Sequence, residues 1–198
     1  MTNRCRMGRW AGLALLGLLA LAGCADSTGN TPPDMVDESE LDFVPRRATA
    51  PAVQTRDTSF WAVRGEERRL EIRYTGEGTG KKFLEFEVDD ESLLRRPDGT
   101  LFAVGDSIEI SVQVDSTLFL VNLEPSGLVF NPERPAVLEL DYDEAEEEFL
   151  ARESEFDAWR QEATGDPWFR VGSVQVEELD EIEILIFGFT RYALAVGR

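Results

Sequence analysis

Carboxylates are the reactive side chains that this sequence offers in quantity. The chain has 39 Asp and Glu residues against 20 Lys and Arg, and no histidine. Two runs concentrate the acidic residues, Asp89–Glu91 and Asp141–Glu148. Carboxylate oxygens suit calcium, and paired carboxylates can hydrolyse glycosidic bonds. We therefore take Asp141, Asp143 and Glu144 as a candidate calcium site, with a calcium-binding or carboxylate-based hydrolytic domain as the alternative function.

A solvated acidic edge is the simpler interpretation of these runs. They lack the spaced acidic and glycine pattern of an EF-hand loop, and close carboxylate pairs arise by chance in so acidic a chain. The missing histidine excludes Ser-His-Asp, Cys-His and His-based zinc chemistry. The glycine-rich stretch before Lys81 and Lys82 fails the spacing of a phosphate-binding loop and predicts a hairpin loop. The sequence therefore predicts a non-enzymatic protein that needs no cofactor.

Cys24 follows a stretch of sequence that predicts a modification of its thiol. Three arginines within the first nine residues flank the apolar run 11–22, which has the length of a signal-peptide core and is short for a membrane-spanning helix. The run ends in Leu21-Ala22-Gly23-Cys24, which resembles the lipobox of bacterial lipoproteins. The resemblance implies cleavage between Gly23 and Cys24 and a covalent lipid such as palmitate on Cys24.

Net charge limits the partners of the chain. The formal charge of -19 repels phosphate backbones and anionic headgroups, so we expect no nucleic-acid partner and membrane attachment through the lipid alone. The expected location is the cell envelope, with the outer membrane preferred. Because Cys5 lies inside the predicted signal, no disulfide is expected in the exported domain.

Composition divides the chain into three parts. Residues 1–23 are the predicted signal peptide, and residues 24–56 are rich in proline and small polar residues, with an acidic cluster. Such a segment buries too little apolar surface to fold alone, so it is predicted to be a disordered, lipid-anchored tether. Whether its short apolar island at 41–44 docks on the domain is left open. Residues 57–198 are predicted to form one domain.

The periodicity of that domain is typical of strands. In the stretch 108–114, apolar residues alternate with polar ones, which places the apolar side chains on one face. Turn residues separate similar runs, which favours an antiparallel β-sandwich with at most one short helix. The other predicted strands contain Leu70–Tyr74, Leu84–Val88, Leu118–Leu123, Leu138–Tyr142 and Ile182–Ile186.

The stretch 143–162 fits a helix as well as a loop and a strand. We favour a short helix at 144–150 and a strand at 156–161, which a turn at Gly165 pairs with 168–171. Most large aromatic residues are expected in the core, and Trp168, which follows the turn, is the candidate for an exposed contact. The aromatic residues considered for a contact patch are Trp61, Trp159, Trp168, Phe187, Phe189 and Tyr192.

The second half of the chain resembles a known domain family. The segments that carry the resemblance are 86–108, 123–131 with Pro135, and 189–195. Together they are similar to the bacterial ZU5-like domain of envelope lipoproteins, which implies an antiparallel sandwich used for structure or interaction. Self-cleaving relatives have a His-Phe-Ser type tripeptide where this chain has Gly188-Phe189-Thr190. The missing histidine implies that this chain does not cleave itself.

These observations predict a non-enzymatic envelope protein in three parts. A lipid at Cys24, an acidic tether and a ZU5-like or immunoglobulin-like sandwich follow one another along the chain. The expected partner of the sandwich is an envelope protein or a polysaccharide. The sequence does not distinguish between these two partners.

Overall fold

Alternating apolar side chains bury one face of each sheet, as the strand that contains Ile110 and Val112 illustrates. Both side chains are fully buried, whereas Glu109 and Gln113 on the opposite face are exposed. A period of two residues produces this separation because successive side chains of a strand point to opposite faces. The strand spans Ser107–Val114 and so begins one residue before the predicted 108–114.

The computed structural model describes residues 35–76, 80–176 and 180–198. The predicted signal peptide, Gly23 and Cys24 lie outside the described residues. Within them, the strands are β1 (Met35–Val36), β2 (Leu41–Phe43), β3 (Asp57–Val63), β4 (Arg68–Arg73), β5 (Lys82–Val88), β6 (Leu93–Arg95), β7 (Ser107–Val114), β8 (Leu120–Glu124), β9 (Val129–Phe130), β10 (Ala136–Asp141), β11 (Asp157–Gln161), β12 (Trp168–Val171), β13 (Ser173–Val176), β14 (Glu181–Ile186) and β15 (Arg191–Gly197).

These strands form two large antiparallel sheets and a small one. The eight-stranded sheet has the order β1-β12-β11-β15-β8-β7-β3, and β2 pairs with the C-terminal half of β15. The five-stranded sheet has the order β13-β14-β10-β5-β4, and β6 pairs with β9. The main core lies between the two large sheets. The predicted all-β, antiparallel sandwich is therefore confirmed.

Aromatic side chains from both sheets meet in this core. Phe86 of the five-stranded sheet contacts Phe60 of β3 at 6.1 Å and Phe189 at 5.9 Å between ring centroids. Tyr192 of β15 is fully buried in the same core, and its hydroxyl donates a hydrogen bond of 2.6 Å to the carbonyl of Gly188. A tyrosine that bonds to the backbone a few residues upstream is also a feature of immunoglobulin-type sandwiches. The bond fixes the entry of the chain into the last strand.

The stretch 143–162 contains a short helix and a strand, as predicted. The helix α1 (Glu147–Leu150) begins later than the predicted residue 144, because Glu144 is buried in an ion pair with Arg47. In the described residues, no helix is long and apolar enough to cross a bilayer. Strand β11 pairs with β12 as the predicted hairpin, and Gly165 takes a positive φ of 95° in the connecting loop. Glycine adopts that conformation without steric cost.

The outer face of the eight-stranded sheet carries a second apolar cluster, which overturns part of the predicted tether. Strand β1 pairs with β12 and β2 pairs with β15, so the chain between them crosses that face. Leu41 is 2% exposed and packs with Trp159 and Trp168. Further along, Val53 is buried and bridges to Tyr74. Residues 35–56 therefore belong to the folded domain, because their apolar side chains cover a face that would otherwise meet water.

Removing the Leu41 side chain tests this correction. We expect Leu41→Ala to lower the free energy of unfolding by about 2–3 kcal/mol, because it leaves a cavity in the outer cluster. Leu101→Ala is the matched control: Leu101 is 60% exposed, so the change should stay within about 0.5 kcal/mol. Urea denaturation of both variants measures the difference. Equal stability of the two variants would contradict the docking of this segment and would support the predicted disordered tether.

Candidate functional site

The three carboxylates of the candidate calcium site are neighbours that bind different partners. Asp143 accepts a hydrogen bond of 2.5 Å from Lys81 Nζ, and Glu144 accepts one of 2.7 Å from Arg47 Nε. Asp141 Oδ1 accepts the backbone N–H of Asp143 at 3.1 Å. In the residues that the structure describes, no group of three or more acidic, histidine or cysteine side chains is arranged to hold a metal ion. The calcium site stays a prediction, and two of its three members are paired with cations of the same chain.

Burial gives Asp141 unusual electrostatics. It lies at the end of β10, directly opposite Glu181 of β14. Desolvation, together with the negative charges of Asp143 and Glu181, raises the pKa of Asp141 from 3.8 to about 7. Removal from water penalises the charged form of a carboxyl, and nearby negative charges add to that penalty. Asp141 therefore changes charge near neutral pH.

A row of glutamates crosses the five-stranded sheet, a feature that the sequence analysis missed. Glu71, Glu85, Glu139 and Glu183 lie opposite one another on four adjacent strands. Like charges in such positions destabilise a sheet unless cations intervene. Lys82 supplies one of these cations, since its Nζ lies 2.6 Å from Glu139 and pairs with Glu181 as well. The negative charges of the row are thus balanced in part by cations. The register of the strands aligns these glutamates, and the sequence alone does not give that register.

The prediction for Trp168 is wrong. Its side chain is 0% exposed, with the Phe43 ring 5.0 Å away and the Arg191 guanidinium 5.7 Å from its ring. The N-terminal segment covers it, in the docked arrangement that the sequence left open for residues 41–44. Trp61, at 58% exposure, and Phe187 are the exposed members of the aromatic set. The other four are buried, so the expectation that most of them belong to the core is confirmed.

Arg46 is the polar residue that the sequence analysis passed over. It is 8% exposed although it lies in the predicted tether. Its Nη1 donates to the carbonyl of Ser116 at 3.1 Å and its Nη2 to that of Pro51 at 2.5 Å. The guanidinium carbon lies 5.3 Å from the ring centres of both Tyr74 and Phe83. In the described part of the chain, no carboxylate pairs with this guanidinium.

Backbone pairing explains why Arg46 is held in place. Arg46 bridges to Ala145, and its N–H donates to the carbonyl of Thr117 at 2.7 Å. The next residue, Arg47, donates its own N–H to the carbonyl of Glu144 at 2.9 Å. The chain is thus fixed between two loops. The two adjacent arginines in an otherwise acidic, proline-rich stretch were the sequence signal for this arrangement.

Two open cavities meet at Arg46. One has a volume of about 270 Å³ and is lined by Arg46, Arg47, Ser116 and Thr117 among others. The other, of about 260 Å³, shares Arg46 and Ser116 and adds Arg56. We call the combined space the Arg46 cleft. It places two cationic side chains without carboxylate partners, those of Arg46 and Arg56, at the wall of an open space.

Two features predicted from the sequence lie outside the Arg46 cleft. Thr190, at the position considered for self-cleavage, is buried, and its hydroxyl donates to the carbonyl of Gln161. The glycine-rich stretch connects β4 to β5, which pair as the predicted hairpin. Residues 77–79 of that connection lie outside the described residues.

Comparison with known proteins adds no relative. No family model matches the chain, and no curated protein or solved structure is significantly similar to it.

The raised pKa of Asp141 predicts a pH-dependent stability. Since the folded state holds the proton up to about pH 7, this group stabilises the fold most below its ordinary pKa, and that contribution is lost as pH rises through 7. Asp141→Asn removes the loss and keeps the acceptor for Asp143. Between pH 4 and pH 8, we expect the stability of the variant relative to the unsubstituted chain to improve by about 1–2 kcal/mol. Urea denaturation at several pH values measures this change.

Asp98→Asn provides a control of opposite sign. The Thr100 hydroxyl and backbone N–H donate to Asp98 and lower the pKa of its carboxyl. A lowered pKa contributes stability that is present at neutral pH and lost as pH falls. The relative stability of Asp98→Asn should therefore improve toward acid. A pH profile of Asp141→Asn parallel to that of the unsubstituted chain would contradict the assignment for Asp141.

Proposed function

We propose that this chain is a non-enzymatic lipoprotein of the cell envelope whose β-sandwich is a binding module. In this proposal Cys24 carries the lipid, and the domain of ZU5-like or immunoglobulin-like kind contacts an envelope protein or a polysaccharide. The sequence before residue 25 supports the anchor, and the antiparallel sandwich agrees with the architecture that the resemblance implies. The outer membrane is the proposed location.

The observation that carries the binding role is the Arg46 cleft. A guanidinium that is nearly buried and has no counter-charge is costly in a protein interior. Here it borders two open cavities and packs against the rings of Tyr74 and Phe83, which contact each other. A polar group positioned at the wall of a cavity is the usual construction of a ligand site.

The folded N-terminal segment also sets the reach of the proposed anchor. Because the domain includes residues from Met35 onward, ten residues, 25–34, separate Cys24 from the first described strand. Ten residues span at most about 35 Å when fully extended. The module would therefore operate near the membrane surface, with partners that lie within that distance.

Fatty-acid labelling tests the anchor. Cells that express the chain with a clickable fatty acid should yield a labelled, membrane-associated protein, and Cys24→Ala should abolish the label because the acceptor thiol is gone. Cys5→Ala is the matched control and should keep the label, since Cys5 lies in the segment that is removed. Mass spectrometry of an unmodified chain that still begins at Met1 would refute the anchor.

A further inference from the structure

We propose that the Arg46 cleft binds a small oxyanion, such as a carboxylate, phosphate or sulfate group. The inference rests on the proposed binding role and names the ligand chemistry, but it does not depend on the lipid. It follows from the charges, the unused hydrogen-bond donors and the size of the cleft.

The charge balance around Arg46 lacks a negative partner. The nearby carboxylates are occupied: Glu144 pairs with Arg47, and Asp143 pairs with Lys81. The acidic residue of the facing loop, Asp115, accepts hydrogen bonds from its own loop, at Thr117 and Leu118. In a chain with a net charge of -19, an arginine buried without a carboxylate is an exception. An external anion would supply the missing charge.

The cleft also has more donors than acceptors. A guanidinium has five N–H groups, and two hydrogen bonds of Arg46, to Pro51 and Ser116, are accounted for. Its Nε also lacks an acceptor among the described residues, but this atom is closed to solvent. The donors left for a ligand are therefore the N–H groups of Nη1 and Nη2 that bond to neither carbonyl. The guanidinium of Arg56 and the hydroxyl of Ser116 have no partner in the described structure either. Arginine with neighbouring hydroxyls is a donor set suited to oxyanions, which accept several hydrogen bonds at once.

The volume of the cleft and the negative charge of the surrounding surface favour a small anion over an extended polyanion. Each of the two cavities, of about 270 and 260 Å³, is smaller than about 300 Å³, and the combined cleft lies in the lower part of the range of about 300–1,000 Å³ typical of ligand pockets. The acidic surface around them repels extended polyanions. A single anionic group can enter because its contacts are made within the cleft. The rings of Tyr74 and Phe83 hold the guanidinium in position to receive it.

Anion titration of the purified full-length chain tests the proposal. Sodium phosphate, sulfate and acetate are added separately, at an ionic strength matched with sodium chloride, while the melting temperature is followed. A ligand that binds the native state raises that temperature in a saturable way. We expect at least one oxyanion to do so where chloride does not. A response to phosphate or sulfate alone indicates a tetrahedral ligand, and a response to acetate indicates a carboxylate.

The variant Arg56→Gln tests whether the oxyanion binds in the Arg46 cleft. Arg56 is exposed, so its substitution should leave the fold intact while it removes one charge-assisted contact. We expect the dissociation constant of the active oxyanion to rise about tenfold. Arg95→Gln, at an exposed arginine of β6 whose side chain bonds to the carbonyl of Gly99, is the matched control and should not change it. Arg46 itself bonds to the carbonyls of Ser116 and Pro51, so its substitution would also disturb the fold. The test therefore uses Arg56 and not Arg46.

Two results would overturn the proposal. One is the absence of any saturable effect of the three oxyanions beyond that of chloride. The other is an equal dissociation constant for the unsubstituted chain and Arg56→Gln, which would place the binding elsewhere. Neither result alters fatty-acid labelling at Cys24, and loss of the label does not alter the titration, so the anchor and the anion site are tested separately.

Discussion

Strand β15 is buried on both faces, and this constraint determines how the rest of the domain is arranged. Tyr192, Leu194 and Val196 point into the core between the sheets, whereas Ala193 and Ala195 point to the outer cluster. A strand that is apolar on both sides needs cover on both sides. The five-stranded sheet covers the inner side. The segment 35–43 covers the outer side, so the second cover comes from a part of the chain that has the composition of a linker.

The same segment builds the Arg46 cleft. After β2, Val44 enters the core and donates its N–H to the carbonyl of Leu194, which aligns the chain along the sheet. The next residues pair with the loops at 117–118 and 144–146 and so place Arg46 against the rings of Tyr74 and Phe83. The apolar docking that buries Trp168 and the polar environment of Arg46 are therefore consequences of one chain path.

Period-two patterns predicted most of the fold, and they failed where structure depends on distant partners. Ser107–Val114 and the 157–161 hairpin strand could be predicted because alternation and turn residues are local. The docking of 35–56 could not, because its proline and acidic content indicates a linker and its partners are non-local, from Tyr74 to Leu194. The error at Trp168 follows directly: without that cover, the residue after a turn is expected to face water. The glutamate row needed the register of four strands, and Arg46 needed the position of two loops.

Cations have different surroundings in two parts of this acidic domain. On the five-stranded sheet, the glutamate row is balanced by cations that lie among the carboxylates, as Lys82 lies between Glu139 and Glu181. At the Arg46 cleft, aromatic rings and carbonyl oxygens surround the cation instead, and the carboxylates nearby are paired with other residues. An oxyanion bound there would stabilise the packed form of the 45–56 segment over its detached form, because it binds the folded arrangement alone. The segment 45–56 leads to the proposed anchor. Its docking would then be thermodynamically linked to ligand binding, since both require Arg46 between the same two loops.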